Sequence, residues 1–214
     1  QGSKWSDHCT IARWAETQLL PQRPAFIVHR LDRAASGLII IAHSKKMAQA
    51  FSQIFENHQL EKTYQIIVHG VLPSNLDKQT GLTVTNKIDD KRAKSTFYPQ
   101  DVDHQANISL IKVNIETGRK HQIRAQLAHL GHPIVGDKIY SNGGEFYLKR
   151  IAKTASVDDY AALLAPHHLL HAYEIHLNNS CSLERAQAKD KTTQQQGIIL
   201  RDDNFPAAWQ RFAF

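Results

Sequence analysis

HRLDRAASG, residues 29–37, sits between the apolar runs FIV (26–28) and LIIIA (38–42). It sets one carboxylate, Asp32, between two guanidinium groups, Arg30 and Arg33. Nearby positive charge favours the ionised form of an acid, and apolar flanks that keep water away make that charge count for more. On its own the stretch fits an exposed turn tied up in a structural ion pair equally well, because such pairs also perturb acids. A second segment further along decides between the two.

That segment is TGRKHQIRAQLAHLGHPIVGD, residues 117–137. Thr117 or Gly118 offers a helix cap, Ile123, Leu127 and Leu130 recur at helical spacing, and Gly131 and Pro133 stop the helix. The spacing therefore predicts a helix over 119–130. Its first turns would carry Arg119, Lys120, His121 and Arg124. Cations there oppose the helix dipole and do not stabilise the helix. They make sense where amide groups and side chains together face phosphate or carboxylate. A solvated basic face is the plainer alternative.

Together these segments resemble the RluA-like RNA pseudouridine synthases. HRLDRAASG is similar to that family's catalytic motif, and residues 117–137 resemble its second hallmark. LEKTYQIIVHG (60–70) resembles its Lys-x-Tyr strand, and LLHAYEIHL (169–177) its late Leu-His-Ala strand. The likeness runs from about Phe26 to Leu177, with four motifs in the family's order. It implies isomerisation of specific uridines to pseudouridine in ribosomal or transfer RNA. The glycosidic bond breaks, the base turns, and it rejoins through carbon 5. Such chemistry needs a carboxylate beside the ribose, a dry cavity, and a nucleotide flipped out of its stack. It calls for no cofactor and no metal.

The resemblance carries roles to individual residues. Asp32 takes the place of the catalytic acid, Arg124 of the arginine that pairs with it, and Tyr64 of the aromatic that stacks on the target base. Arg30 matches the arginine that fills the space left by the flipped base, and Ile123 a residue lining the uracil pocket. Lys62, Arg119, Lys120 and His121 are then the expected phosphate contacts, which add affinity without reading sequence. Tyr64 and Ile123 would otherwise read as plain core residues. Ala35 stands where the family usually has Thr, which removes one possible hydrogen bond of about 1 kcal/mol. A non-catalytic RNA-binding relic of the same fold is the alternative reading. Intact Asp32, Tyr64 and Arg124 argue against it.

Composition agrees. The 214 residues hold one substantial core. Twenty-six Lys and Arg against twenty Asp and Glu leave a net charge of +6, which suits a polyanionic partner such as RNA. No apolar run is long enough to span a bilayer, and no signal-peptide pattern opens the chain. Two cysteines, Cys9 and Cys181, build no disulfide framework and point to the cytoplasm. Thirteen histidines lack metal-site spacing. His171 reads as a buried, hydrogen-bonded support for the site. The expectation is a monomer that binds RNA and no membrane.

The pattern predicts α+β architecture, a mixed and mainly antiparallel sheet with helices packed on it. Helices are expected over Ser6 to Leu19, after Ser44, and around Phe146 to Ala152. Strands are expected at 38–42, 64–71, 94–98, 108–115, 168–177 and 197–201. Residues 73–92 read as a solvent loop or loose hairpin, and 184–196 as a polar connection. The chain opens at Gln1, and the family's Asn-Lys-Pro-x-Gly strand does not precede the matched region. Residues 1–214 are therefore expected to be a single catalytic domain without that strand or an accessory RNA-binding domain.

Overall fold

In the computed structural model, residues 10–73, 76–178 and 198–212 are described. They fall into two compact units. The smaller comprises Gln1–Leu31, Ile39–Leu60 and His176–Ile199; the larger comprises Asp32–Leu38, Glu61–Ile175 and Leu200–Phe214.

The smaller unit contains helix α1 (Ile11–Glu16), strands β1 (Phe26–Ile27) and β3 (Ile41–Ala42), and helix α2 (Lys45–Glu56). Strands β1 and β3 pair antiparallel, Phe26 opposite Ala42. Ser44 caps α2 by accepting from the Met47 amide at 3.2 Å, and Ile54 on its apolar stripe is fully buried. The expected helix over Ser6 to Leu19 is shorter than its pattern. Thr10 caps it, it ends at Glu16, and residues 6–9 lie outside the described residues. Trp14 is 60 % exposed, so the apolar face that suggested a longer helix has only Ala15 buried.

The larger unit is built on a sheet of β2 (Ser36–Gly37), β4 (Leu60–His69), β5 (Leu82–Ile88), β6 (Lys91–Asp103), β7 (Ile108–Ile115), β8 (Leu170–Leu177) and β9 (Ile198–Arg201). Its order is β2-β8-β4-β7-β6-β5, and β9 also pairs with β8. Strand β7 runs antiparallel to both β4 and β6, β5 runs antiparallel to β6, and β2 lies parallel to β8. This is the α+β, mainly antiparallel architecture expected. Of the loop or loose hairpin expected over 73–92, the described residues show the hairpin. Strands β5 and β6 form a long hairpin whose turn, Asp89 and Asp90, has positive φ at both positions, a primed turn that suits strand twist. The strand expected at 38–42 is cut to two pieces, β2 before it and β3 at its end.

Apolar residues alternate inward along β6, where Ala93, Phe97 and Pro99 are buried beside Ser95. Ile67, Ile108, Val135, Ala165, Leu169 and Trp209 form one buried cluster. Each of the larger of these side chains contributes on the order of 2 kcal/mol through removal from water. Helix α3 (Gln122–His129) lies on the β5–β6 hairpin. Its Gln122 side chain donates to Ser95 Oγ at 2.8 Å and that of Gln126 to Asn86 Oδ1 at 2.9 Å. Helix α3 starts three residues later than its pattern suggests. Thr117 does not cap it. Its hydroxyl donates to Gln122 Oε1, which also accepts from the Arg119 amide, and this closes a loop over Arg119 and Lys120. His121 then enters the helix with φ of 53°, the left-handed region, and no side-chain cap. Helices α4 (Glu145–Ile151) and α5 (Val157–Ala161) fill the weakly patterned stretch, as expected around Phe146.

Candidate active site

The site grows from the turn before β2 and from the buried face of α3. Ser36 and Gly37 pair with His171 and Ala172 of β8, and the Ala35 amide closes a turn onto the Asp32 carbonyl at 3.0 Å. Gly37 has φ of 97°, and a Cβ there would lie 2.3 Å from the Ala172 carbonyl oxygen, so only glycine lets the two strands meet. Ala34 also has a positive φ, 77°, an uncommon conformation for a residue with a side chain. The turn carrying Asp32 is thus fixed by backbone on one side and strained on the other.

Asp32 meets Arg124 across this turn. Nη1 of Arg124 donates to Asp32 Oδ2 at 3.2 Å, and the two side chains are 5 % and 12 % exposed. The arginine's main partner is a residue to which the sequence reading assigned no role. Its Nε and Nη2 donate to Asp137 Oδ2 and Oδ1 at 2.6 and 2.9 Å, and Asp137 is fully buried. Burial opposes the Arg124 charge, and the hydrogen bonds and charges of Asp137 and Asp32 outweigh it, so its pKa is raised. The same burial works against Asp137, but Arg124 and the amides of Ile139 and Tyr140 hold its carboxyl below the usual range. The Tyr140 ring lies 5.2 Å from the guanidinium, and its hydroxyl is 3.2 Å from His121 Nδ1. Only the position of Asp137 at the end of the quoted segment hinted at this. A lone Asp after a glycine otherwise reads as a turn residue.

Tyr64 stands in the middle of β4, opposite Val113, and is 6 % exposed. Burial, and then the charge of Asp32, push its phenol pKa upward, so it stays protonated near neutrality. Lys62, two residues earlier on β4, is pushed down to about 8 by burial. Ile123 is buried on α3. Arg119 and Lys120 are exposed in the loop before α3, and Arg119 Nε donates to the Arg92 carbonyl at 2.9 Å. His121 has its pKa lowered, by burial first and by Arg124 next. Arg30 is exposed and belongs to the smaller unit. The structure thus brings Asp32, Arg124, Tyr64 and His121 within one electrostatic neighbourhood. Of the expected phosphate contacts, Arg119 and Lys120 stand on a loop and not on the helix.

A cleft of about 370 Å³ opens beside Arg124 and His121, which line it with Arg33, Ala34, Lys138 and Arg150 among others. Part of one wall is backbone. Gly136, with φ of 80°, lies so near the His167 carbonyl that a Cβ would come within 2.1 Å of its oxygen. His168, on the same wall, is buried with its Nε2 unpartnered among the described residues, and burial followed by Arg124 pushes its pKa down to about 4. His171 is fully buried, with Nδ1 2.8 Å from Ser36 Oγ and Nε2 2.9 Å from the Asp202 carbonyl oxygen. Among the described residues no group of His, Cys, Asp and Glu could hold a metal ion. No helix of the described residues is long and apolar enough to cross a membrane.

The sequence profile of the RNA pseudouridylate synthase family matches residues 1–129. The chain is 35 % identical over 173 residues to tRNA pseudouridine synthase C of Yersinia pestis, covering 72 % of this chain and 63 % of that protein. It is 36 % identical over 136 residues to tRNA pseudouridine synthase C of Pectobacterium carotovorum subsp. carotovorum, covering 55 % and 36 %. It therefore spans less than two thirds of the length of these relatives. The structure of human RNA Pseudouridylate Synthase Domain Containing 4 superposes with a TM-score of 0.59 at 19 % identity, over 88 % of this chain and 76 % of the human one, and so shares the fold. Human RNA Pseudouridylate Synthase Domain Containing 1 gives 0.57 at 17 %, over 84 % and 69 %. By the extent of the profile match, which takes in both the HRLD turn and the start of α3, this chain belongs to the RNA pseudouridylate synthase family.

Proposed function

We propose that this chain isomerises uridine to pseudouridine in ribosomal or transfer RNA, working as a monomer in the cytoplasm, with Asp32 as the reacting carboxylate. The observation that carries this reading is the Asp32–Arg124 pair, nearly buried beside a cleft rich in positive charge. A carboxylate so held attacks C1′ of the ribose as a nucleophile, or takes a sugar proton as a base. Either way the C1′–N1 bond breaks, the freed uracil turns, and C5 bonds to C1′, which displaces the carboxylate from C1′ on the first route and is followed by return of the sugar proton on the second. The C5 proton leaves and N1 gains one, so the reaction is a net isomerisation. Arg124 holds Asp32 aimed as the sugar approaches.

Tyr64 is the stacking face for the turned base. Its phenol enters the cycle protonated and can donate a hydrogen bond to the detached uracil. Arg30 takes the space the flipped uridine vacates, Ile123 helps wall the uracil, and Lys62, Arg119, Lys120 and His121 hold the flanking backbone. A dry pocket around the base prevents its escape while the bond is open.

Tritium release from bulk transfer and ribosomal RNA labelled at uridine C5 tests this reading. The wild type should release label, Asp32→Ala should release none, and Tyr64→Phe should fold normally with slowed release. Equal release from wild type and Asp32→Ala would refute the assignment of the carboxylate.

A further inference from the structure

The cations around the cleft have unequal fates. Arg124 is saturated by two carboxylates. Arg33, Lys138 and Arg150 also line the cleft, and none of them has a carboxylate partner among the described residues. The contrast is sharpest within α4. Lys149 bonds Asp159 of α5 at 2.8 Å and Glu145 at 3.0 Å, while its neighbour Arg150 is left to the cleft.

Helix α4 is built to hold that orientation. Phe146 is buried and meets the Tyr160 ring edge-on at 5.1 Å. Phe146 and Lys149 are three residues apart and share the face turned to α5, which sets Arg150 on the adjacent side. Helix α5 is in turn locked by a capping box between Ser156 and Asp159. Opposite, the close approach of Gly136 to His167 fixes the turn that leads into Lys138. Three unpaired cations on three separately anchored segments converge on one opening.

We propose that Arg33, Lys138 and Arg150 form a phosphodiester subsite, in which consecutive backbone phosphates flanking the modified uridine bind and α4 acts as an RNA-docking element. This rests on the reading of the chain as an RNA-modifying enzyme. It adds a binding edge distinct from the loop of Arg119 and Lys120. Three forked or flexible donors at separate points suit a line of singly charged phosphodiesters, which each offer two free oxygens.

Binding of the chain to unfractionated bacterial transfer RNA, followed by fluorescence anisotropy from about 50 to about 200 mM salt, provides the test. Arg150→Gln and Lys138→Gln should each weaken binding about three- to tenfold and lower the slope of log affinity against log salt by about 0.7 to 1. Lys45→Gln, an equal charge loss on α2, should leave the slope unchanged. Slopes that match wild type in both cleft variants, or an equal drop in Lys45→Gln, would overturn the subsite. Parallel tritium release separates this from the catalytic reading. Sensitivity at Arg150 in a protein that releases no label keeps the subsite and sinks the chemistry. A wild type that binds no RNA sinks both.

Discussion

Asp137 grips the Arg124 guanidinium through two nitrogens, at 2.6 and 2.9 Å, while Asp32 accepts from the third at 3.2 Å. The shorter bonds go to the residue that is fully buried, so Arg124 is fixed from behind before it meets Asp32. Arg124→Met would strand Asp137 as an unpaired buried charge, a loss of about 3 to 5 kcal/mol, and therefore tests folding more than chemistry. Asp137→Asn is the sharper probe. It keeps the volume, loses the charge, and lets the guanidinium drift. We expect kcat to fall on the order of a hundredfold with KM little changed, because misplacement of about 1 Å is enough for that. Unchanged kcat in a folded Asp137→Asn would show that Asp32 needs no such support.

His171 links the turn that carries Asp32 to the segment after β9. The Asp202 carbonyl can only accept, so His171 Nε2 carries the proton, and its Nδ1 accepts from the Ser36 hydroxyl. Ser36→Ala leaves that buried nitrogen unpaired and should cost about 1 to 3 kcal/mol in urea unfolding. A double-mutant cycle with His171→Phe should show a coupling of at least about 0.5 kcal/mol. Additive losses would mean that the 2.8 Å contact carries no energy.

His168 makes stability depend on acid. Its folded pKa of about 4 lies below the ordinary histidine value of 6.5, so between these values the unfolded chain binds more protons. Stability is then full above about pH 6.5 and falls as pH drops toward 4, by up to about 3 kcal/mol from this one group. His69 and His121, also shifted downward, add in the same direction. Between pH 7 and about pH 4.5 the urea midpoint of the wild type should fall further than that of His168→Gln. Parallel pH profiles for the two proteins would contradict the shift.

Gly37→Ala should be among the most damaging single changes in the larger unit. The added carbon would meet Ala172 backbone at 2.3 Å in a conformation that L residues avoid. We expect a destabilisation of several kcal/mol by thermal or urea unfolding, on the order of the worst core changes. A near-wild-type melt would mean that β2 and β8 can part without consequence.

What could be read in advance follows physical lines. Strand β7 and helix α2 announce themselves, the first by alternating apolar residues that are buried on one face, the second by Ser44 and its stripe. Strand β5 has no buried residue, so its exposed alternation is indistinguishable from a loop, and its turn uses Asp-Asp and not the usual Asn-Gly. The late start of α3 comes from a side-chain bond between Thr117 and Gln122 and a left-handed His121, neither of which propensity reveals. Asp32 and Arg124 were legible because a pattern shared with other chains marks them. Asp137, Tyr140 and His168 were not, since their role arises only where α3, the turn after Gly136 and the approach to β8 come together. The expected group of helix-borne cations divides for the same reason. Arg119 and Lys120 stay on the loop, while Arg124 turns inward.

The contact between Gly136 and the His167 carbonyl has a practical corollary. At that point the two backbones pack too tightly for position 136 to accept a side chain, so substitution there cannot re-line the cleft. Anyone wishing to retarget the protein toward a different strand is left with the cations that line the opening. Randomising positions 33, 138 and 150 together would vary what the opening recognises while the buried ion cluster behind it stays as it is.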